Sequence, residues 1–122
     1  MPINVINRDG VAAVEGGPGE VVRELAGLGQ GNAQRLSLAE VTIMPDGQSR
    51  EHYHHELEEA YYLLTGQAHM TVDEEIRTVG PGDTIVIPPG ARHRIVNTGD
   101  TDLVMIVVCA PAWHLEDNVF LD

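Results

Sequence analysis

At 122 residues the chain is long enough to bury one real core and too short for a second, so a single domain is expected. Nineteen acidic against seven basic residues give a net charge of -12, which repels phosphate backbones and anionic membranes and sets both aside as partners. All seven basic residues are arginine, which excludes chemistry that needs a lysine amine, and the one cysteine, Cys109, permits neither an intrachain disulfide nor a four-cysteine zinc site.

Seven of the 13 glycines fall within the first 31 residues, in Gly16-Gly17-Pro18-Gly19 and between Gly27 and Gly31. This predicts turns around short strands such as Val21 to Leu25. Residues 1–34 are read as a glycine-rich cover segment of the same domain, and residues 35–122 as its body. No charged and apolar leader is seen, and the longest apolar run, Leu103 to Trp113, falls short of the roughly 20 residues a membrane helix needs. A soluble, cytoplasmic protein is expected.

From Leu36 onward, short β-type segments are cut by Pro45-Asp46-Gly47, Thr65-Gly66, Asp73-Glu74, Gly80-Pro81-Gly82, Pro88-Pro89-Gly90 and Asn97-Thr98-Gly99-Asp100. Regular short strands with glycine and proline turns predict an all-β sandwich or barrel. The segment Leu103 to Val108 is apolar at both parities and Tyr61 to Leu64 nearly so, which implies burial on both faces. Either the N-terminal segment or a second subunit must cover the outer face, and a homodimer is expected.

Within that pattern lie His52-Tyr53-His54, then Glu59, and some thirty residues later His93. Two histidines two apart on a strand leave the same face, and three imidazoles with one carboxylate form a donor set suited to a divalent transition metal. An apolar barrel would otherwise bury four unpaired polar groups. His69 and His114 read instead as ordinary hydrogen-bonded or surface histidines, and His55, beside His54, as a turn or surface residue facing the other way. Cys109 lies in an apolar run and reads as a small buried hydrophobe.

Gly47, His52, His54, Glu59 and Gly66, followed by Gly82, Pro88, Gly90, His93 and Asn97, resemble the two signature motifs of the cupin superfamily. The second motif matches at every position; the first departs only in a gap of four residues instead of five between Gly47 and His52. The resemblance covers Gly47 to Asn97 and implies a cupin-type jelly-roll barrel. Its spacing to Gly66 selects Glu59 over Glu58 as the ligand position, and it implies one divalent ion, iron, manganese, zinc or nickel, held by His52, His54, Glu59 and His93. Asn97 is read as a structural residue that closes a hairpin.

The implied function is that of a metal-binding cupin acting on a small organic molecule. The expected chemistry is that of a metal-dependent oxygenase of the dioxygenase kind. Isomerase, decarboxylase or lyase chemistry, and a non-catalytic small-molecule or metal-binding module, are the alternatives. Tyr61 and Arg50 are the candidate catalytic residues. Arg50 shares the parity of His52 and His54, so it either anchors a substrate carboxylate or makes a surface ion pair. Strand parity predicts a pocket lined by Tyr61, Met70, Ile85, Ile87 and Ile95, with Trp113 over the opening.

Overall fold

A computed structural model describes residues 2–122 as eleven strands in two antiparallel sheets. The strands are β1 (Val14–Glu15), β2 (Glu20–Ala26), β3 (Ser37–Ile43), β4 (His52–His54), β5 (Glu58–Thr65), β6 (Ala68–Val72), β7 (Glu75–Val79), β8 (Thr84–Ile87), β9 (His93–Asn97), β10 (Leu103–Ala110) and β11 (Asn118–Phe120). One sheet has the order β1-β2-β3-β10-β5-β8 and the other β11-β4-β9-β6-β7. The two face each other as a jelly-roll barrel, the all-β architecture expected from the sequence. No helix among the described residues is long and apolar enough to cross a membrane.

Period-two alternation explains which side chains fill the barrel. On β5, Glu59, Tyr61 and Leu63 point inward while Tyr62 and Leu64 point out. On β10, Leu103, Met105, Val107 and Cys109 are the buried set. Leu57, Ile43, Ile87 and Ile95 complete a core in which each of these four is at most 1% exposed.

The expected strand in the glycine-rich segment is present and longer, as β2, but it does not lie over the outer face of the barrel. It pairs edge to edge with β3, from Glu20 opposite Ile43 to Ala26 opposite Leu38. Hydrogen bonding to the free edge of β3 satisfies backbone groups that a layer laid across the sheet would leave unpaired. The segment therefore becomes barrel wall, and the outer apolar side chains Tyr62, Leu64, Val86 and Val108 stay exposed.

The turns fall where glycine, proline and aspartate were read as punctuation. At Gly66, which follows β5, φ is +95° and a Cβ would stand 2.7 Å from Leu103 Cα, so only glycine fits. Buried Asn97 closes the far end of β9: its Nδ2 donates to the carbonyls of Ile43 (2.8 Å) and Thr101 (2.9 Å), and its Oδ1 accepts from Gly99 N (2.9 Å). Losing three hydrogen bonds and orphaning the Ile43 carbonyl sets the expected cost of Asn97→Ala at about 3 kcal/mol. Urea denaturation should show that loss; a change below about 1 kcal/mol would mean water replaces the amide.

Candidate metal centre

The short strand β4 presents His52 and His54 from one face, and antiparallel pairing sets His52 directly opposite His93 on β9. Glu59 arrives from the other sheet, where it lies opposite Ile87 on β8 and Cys109 on β10. Two local devices fix the approach. Gly90 N donates to the His54 carbonyl (2.7 Å), tying the proline-rich turn before β9 to β4. The turn joining β4 to β5 is held by buried Asp117, whose carboxylate accepts from Glu56 N (3.1 Å) and Leu57 N (3.0 Å).

The ligand atoms of His52, His54, Glu59 and His93 all lie within 4.8 Å of one another. Glu58 and His55, their chain neighbours, are exposed. The Nδ1 atoms of His52 and His93 sit 2.7 Å from the Arg50 carbonyl and 3.0 Å from the Ala91 carbonyl. A carbonyl only accepts, so both rings carry a proton on Nδ1 and turn Nε2 inward.

Glu59 Oε1 is 2.9 Å from His93 Nε2 and 3.5 Å from His54 Nε2. These are ion-pair distances without hydrogen-bond alignment. His93 Nε2, Glu59 Oε1 and both ring nitrogens of His54 are buried with no hydrogen-bond partner. Native interiors rarely strand such atoms, each at a cost of roughly 1–3 kcal/mol, and here four are stranded together. One divalent ion bound between the rings and the carboxylate would take up three of these four atoms, His93 Nε2, Glu59 Oε1 and one ring nitrogen of His54, so the donor set fits the metal the motifs imply.

The electrostatics agree. Burial opposes the Glu59 carboxylate, but the His54 and His93 rings outweigh it and hold its pKa well below the carboxylate range. Burial, with His93 beside it, lowers His52 to about 4, so this ring stays neutral and ready to ligate.

Cys109 has a role that its apolar setting did not suggest. Its thiol donates to Glu59 Oε2 at 3.2 Å, leaving Oε1 to face the imidazoles. Burial and the Glu59 charge raise the thiol pKa, which keeps it a protonated donor. No sequence signal could have found this contact, because it depends on the register of β10 against β5.

A cavity of about 410 Å³ opens beside the ligands, reached by His52, Glu59 and Tyr61. Met70, Ile87 and Ile95 do not line it; they are packed in the core, with Ile85 against them. Its apolar walls are Val22 of β2, Ala39 and Val41 of β3, Met105 and Val107 of β10, and Trp113. Parity correctly turned the isoleucines inward but could not tell the filled part of the barrel from the open part. Tyr61 is buried in the cavity wall, and burial with the charges of Glu59 and Glu20 raises its hydroxyl well above the ordinary value. It is a hydrogen-bond donor and not a base at neutral pH.

Arg50 reaches the cavity rim, but its Nε donates to Asp122 Oδ1 (3.0 Å) and its guanidinium carbon lies 3.9 Å from the Phe120 ring centroid. The ion pair with an acid is the alternative that the structure realises. His69 is exposed, and His114 Nδ1 lies 3.2 Å from the Ala112 carbonyl.

A model of the cupin domain family matches residues 39–109. An uncharacterised protein of Methanocaldococcus jannaschii is 36% identical over 104 residues, spanning 85% of this chain and 83% of its own. Among solved structures, the polyketide cyclase RemF of Streptomyces resistomycificus superposes with a TM-score of 0.75 at 27% identity, over 95% of this chain and 89% of the cyclase. Oxalate decarboxylase of Lactobacillus farciminis, in a formate complex, gives 0.81 at 27% identity over 93% of this chain, which spans about a third (34%) of that enzyme.

Proposed function

This chain belongs to the cupin family, and on that premise we propose that it is an enzyme of small organic molecules built on one divalent ion held by His52, His54, Glu59 and His93. The observation that carries the reading is the group of four buried, partnerless polar atoms on His54, Glu59 and His93, beside a largely apolar cavity that Glu59 and His52 line. Such an ion supplies Lewis-acid polarisation of a coordinated carbonyl or hydroxyl and, as iron, access to dioxygen. The chain's own residues hold the donors still: Cys109 fixes Glu59, the Arg50 and Ala91 carbonyls fix two rings, and Tyr61 offers a hydroxyl donor to a bound molecule.

Two reaction classes suit this donor set. The similarity to a polyketide cyclase and an oxalate decarboxylase favours rearrangement or bond cleavage without net oxidation, so an isomerase, cyclase or decarboxylase ranks above the oxygenase. The three-histidine, one-glutamate set favours the oxygenase as the second reading. Loading the protein separately with manganese, zinc, nickel and iron and following β-dicarbonyl and hydroxyketone compounds by NMR separates them. Turnover that continues under argon supports the first class; turnover matched by oxygen uptake moves the assignment to the second.

A homodimer belongs to the same reading. The outer face of the larger sheet exposes Tyr62 (47%), Leu64 (42%), Val86 (60%) and Val108 (37%), with Ala60 and Ile106 between them in register. Stable pairs bury roughly 1,200 Å² or more in total, and a sheet face of this kind can supply it. Light scattering should give twice the 13.2 kDa chain mass, and Val86→Glu with Val108→Glu should halve it. A monomer at high micromolar concentration would contradict the dimer.

A further inference from the structure

The turn Gly16-Gly17-Pro18-Gly19 looks like loose punctuation in the sequence, yet it is built around one side chain. Glu20 opens β2, and its Oε1 accepts a hydrogen bond from Gly17 N at 2.8 Å. Gly16 presses against the same oxygen so closely that a Cβ there would collide with it. The second carboxylate oxygen has no protein partner among the described residues, and Glu20 lines the same cavity as His52, Glu59 and Tyr61. A carboxyl cradled by two glycines and left half free inside a cavity is arranged to meet a ligand.

The rest of the wall has the same sign. Glu15 and Glu24 line it as well, and its one arginine, Arg50, is paired with Asp122. Resting on the metal-site reading above, we propose that Glu20 anchors the end of the substrate remote from the metal, and that this end of the cavity takes neutral or cationic hydroxyl- or amine-bearing groups and disfavours carboxylates and phosphates. A ligand donor satisfies the free oxygen of Glu20. Away from the metal, an anionic group of the ligand meets these carboxylates and a single arginine that is already paired with Asp122, so it is repelled where solvent screening is reduced. Burial, together with the charge of Glu59, raises the pKa of Glu20, as befits a carboxyl with no ionic partner of its own. This replaces the carboxylate anchor that Arg50 would have supplied.

Three catechols of similar size test the proposal, because they share the metal-binding group and differ in remote charge: dopamine, 4-ethylcatechol and 3,4-dihydroxyphenylacetate. Each is titrated calorimetrically into zinc-loaded protein of verified zinc content. Wild-type protein should bind dopamine at least tenfold more tightly than 3,4-dihydroxyphenylacetate, with 4-ethylcatechol between them. Glu20→Gln should reduce the cation-to-anion ratio about tenfold, and Gly16→Ala, which displaces the carboxylate without removing it, should move it in the same direction. Charge-blind binding by the wild type, or an unchanged ratio in whichever of these variants folds, overturns the role of Glu20. Failure of all three probes to bind zinc-replete protein instead overturns the metal-pocket reading on which it rests.

Discussion

Replacing His93 by alanine is expected to weaken divalent-metal binding by at least a hundredfold and to leave the barrel folded. His93 is 1% exposed, its Nδ1 is fixed by the Ala91 carbonyl, and its Nε2 lies among the other three donors. Losing even a residue that merely orients a metal ligand typically costs 10–100-fold in affinity, and losing a ligand costs more. His52→Ala, His54→Ala and Glu59→Ala should each behave alike, and any pair of substitutions should abolish binding. The Glu59 variant also strands the Cys109 thiol without an acceptor, although a thiol is a weak donor and that loss is small beside the ligand. Calorimetric titration with zinc or nickel checks the affinity, and circular dichroism checks the fold. Full metal affinity in any single variant would remove that residue from the set.

Lowering the pH should destabilise the metal-free protein between 6.5 and about 4, chiefly through His52. Its imidazole is neutral in the fold down to about 4, whereas in the unfolded chain it takes up a proton near 6.5. Between these values the unfolded state binds more protons, so stability falls as pH falls; the contribution is present above 6.5 and gone below about 4. The interval corresponds to about 3 kcal/mol at most, reduced because the ring is only partly buried. Glu59 acts lower on the scale: its depressed pKa contributes stability above the free carboxylate value of 4.5, which is lost only as pH drops through the folded value. The depressed value of His52 also moves proton competition for a metal at this ring from the free imidazole value of 6.5 toward 4. Urea melts with chelator at pH 7, 6, 5 and 4.5 test the point. A flat stability between pH 7 and 5 would show that His52 is solvated in solution.

The four side chains that converge at the candidate metal centre were legible because each depends on short-range rules. Two residues two apart on a strand share a face, glycine and proline turns bound the strands, and motif spacing told Glu59 from Glu58. Inward parity was equally legible for Tyr61, Met70, Ile87 and Ile95, but not which of them would border space. That depends on how the whole barrel packs, and here β2, β3 and β10 enclose the open part. The Cys109 contact with Glu59 depends on the register of two strands fifty positions apart. Glu20 becomes a cavity residue only because β2 pairs with the free edge of β3, a choice made by long-range hydrogen bonding and invisible in a glycine-rich stretch. Arg50 had the right parity and the wrong partner: Asp122 is brought beside it by the pairing of β11 with β4.

The central claim is a single ion held by four named residues, and an anomalous difference map from crystals of the zinc- or manganese-loaded protein tests it most directly. One strong peak per chain should appear about 2.0–2.2 Å from Nε2 of His52 and His93, a ring nitrogen of His54 and Oε1 of Glu59. A map with no peak there, or with these four side chains more than about 4 Å from any common point, would contradict the account, since no such ion could bridge them.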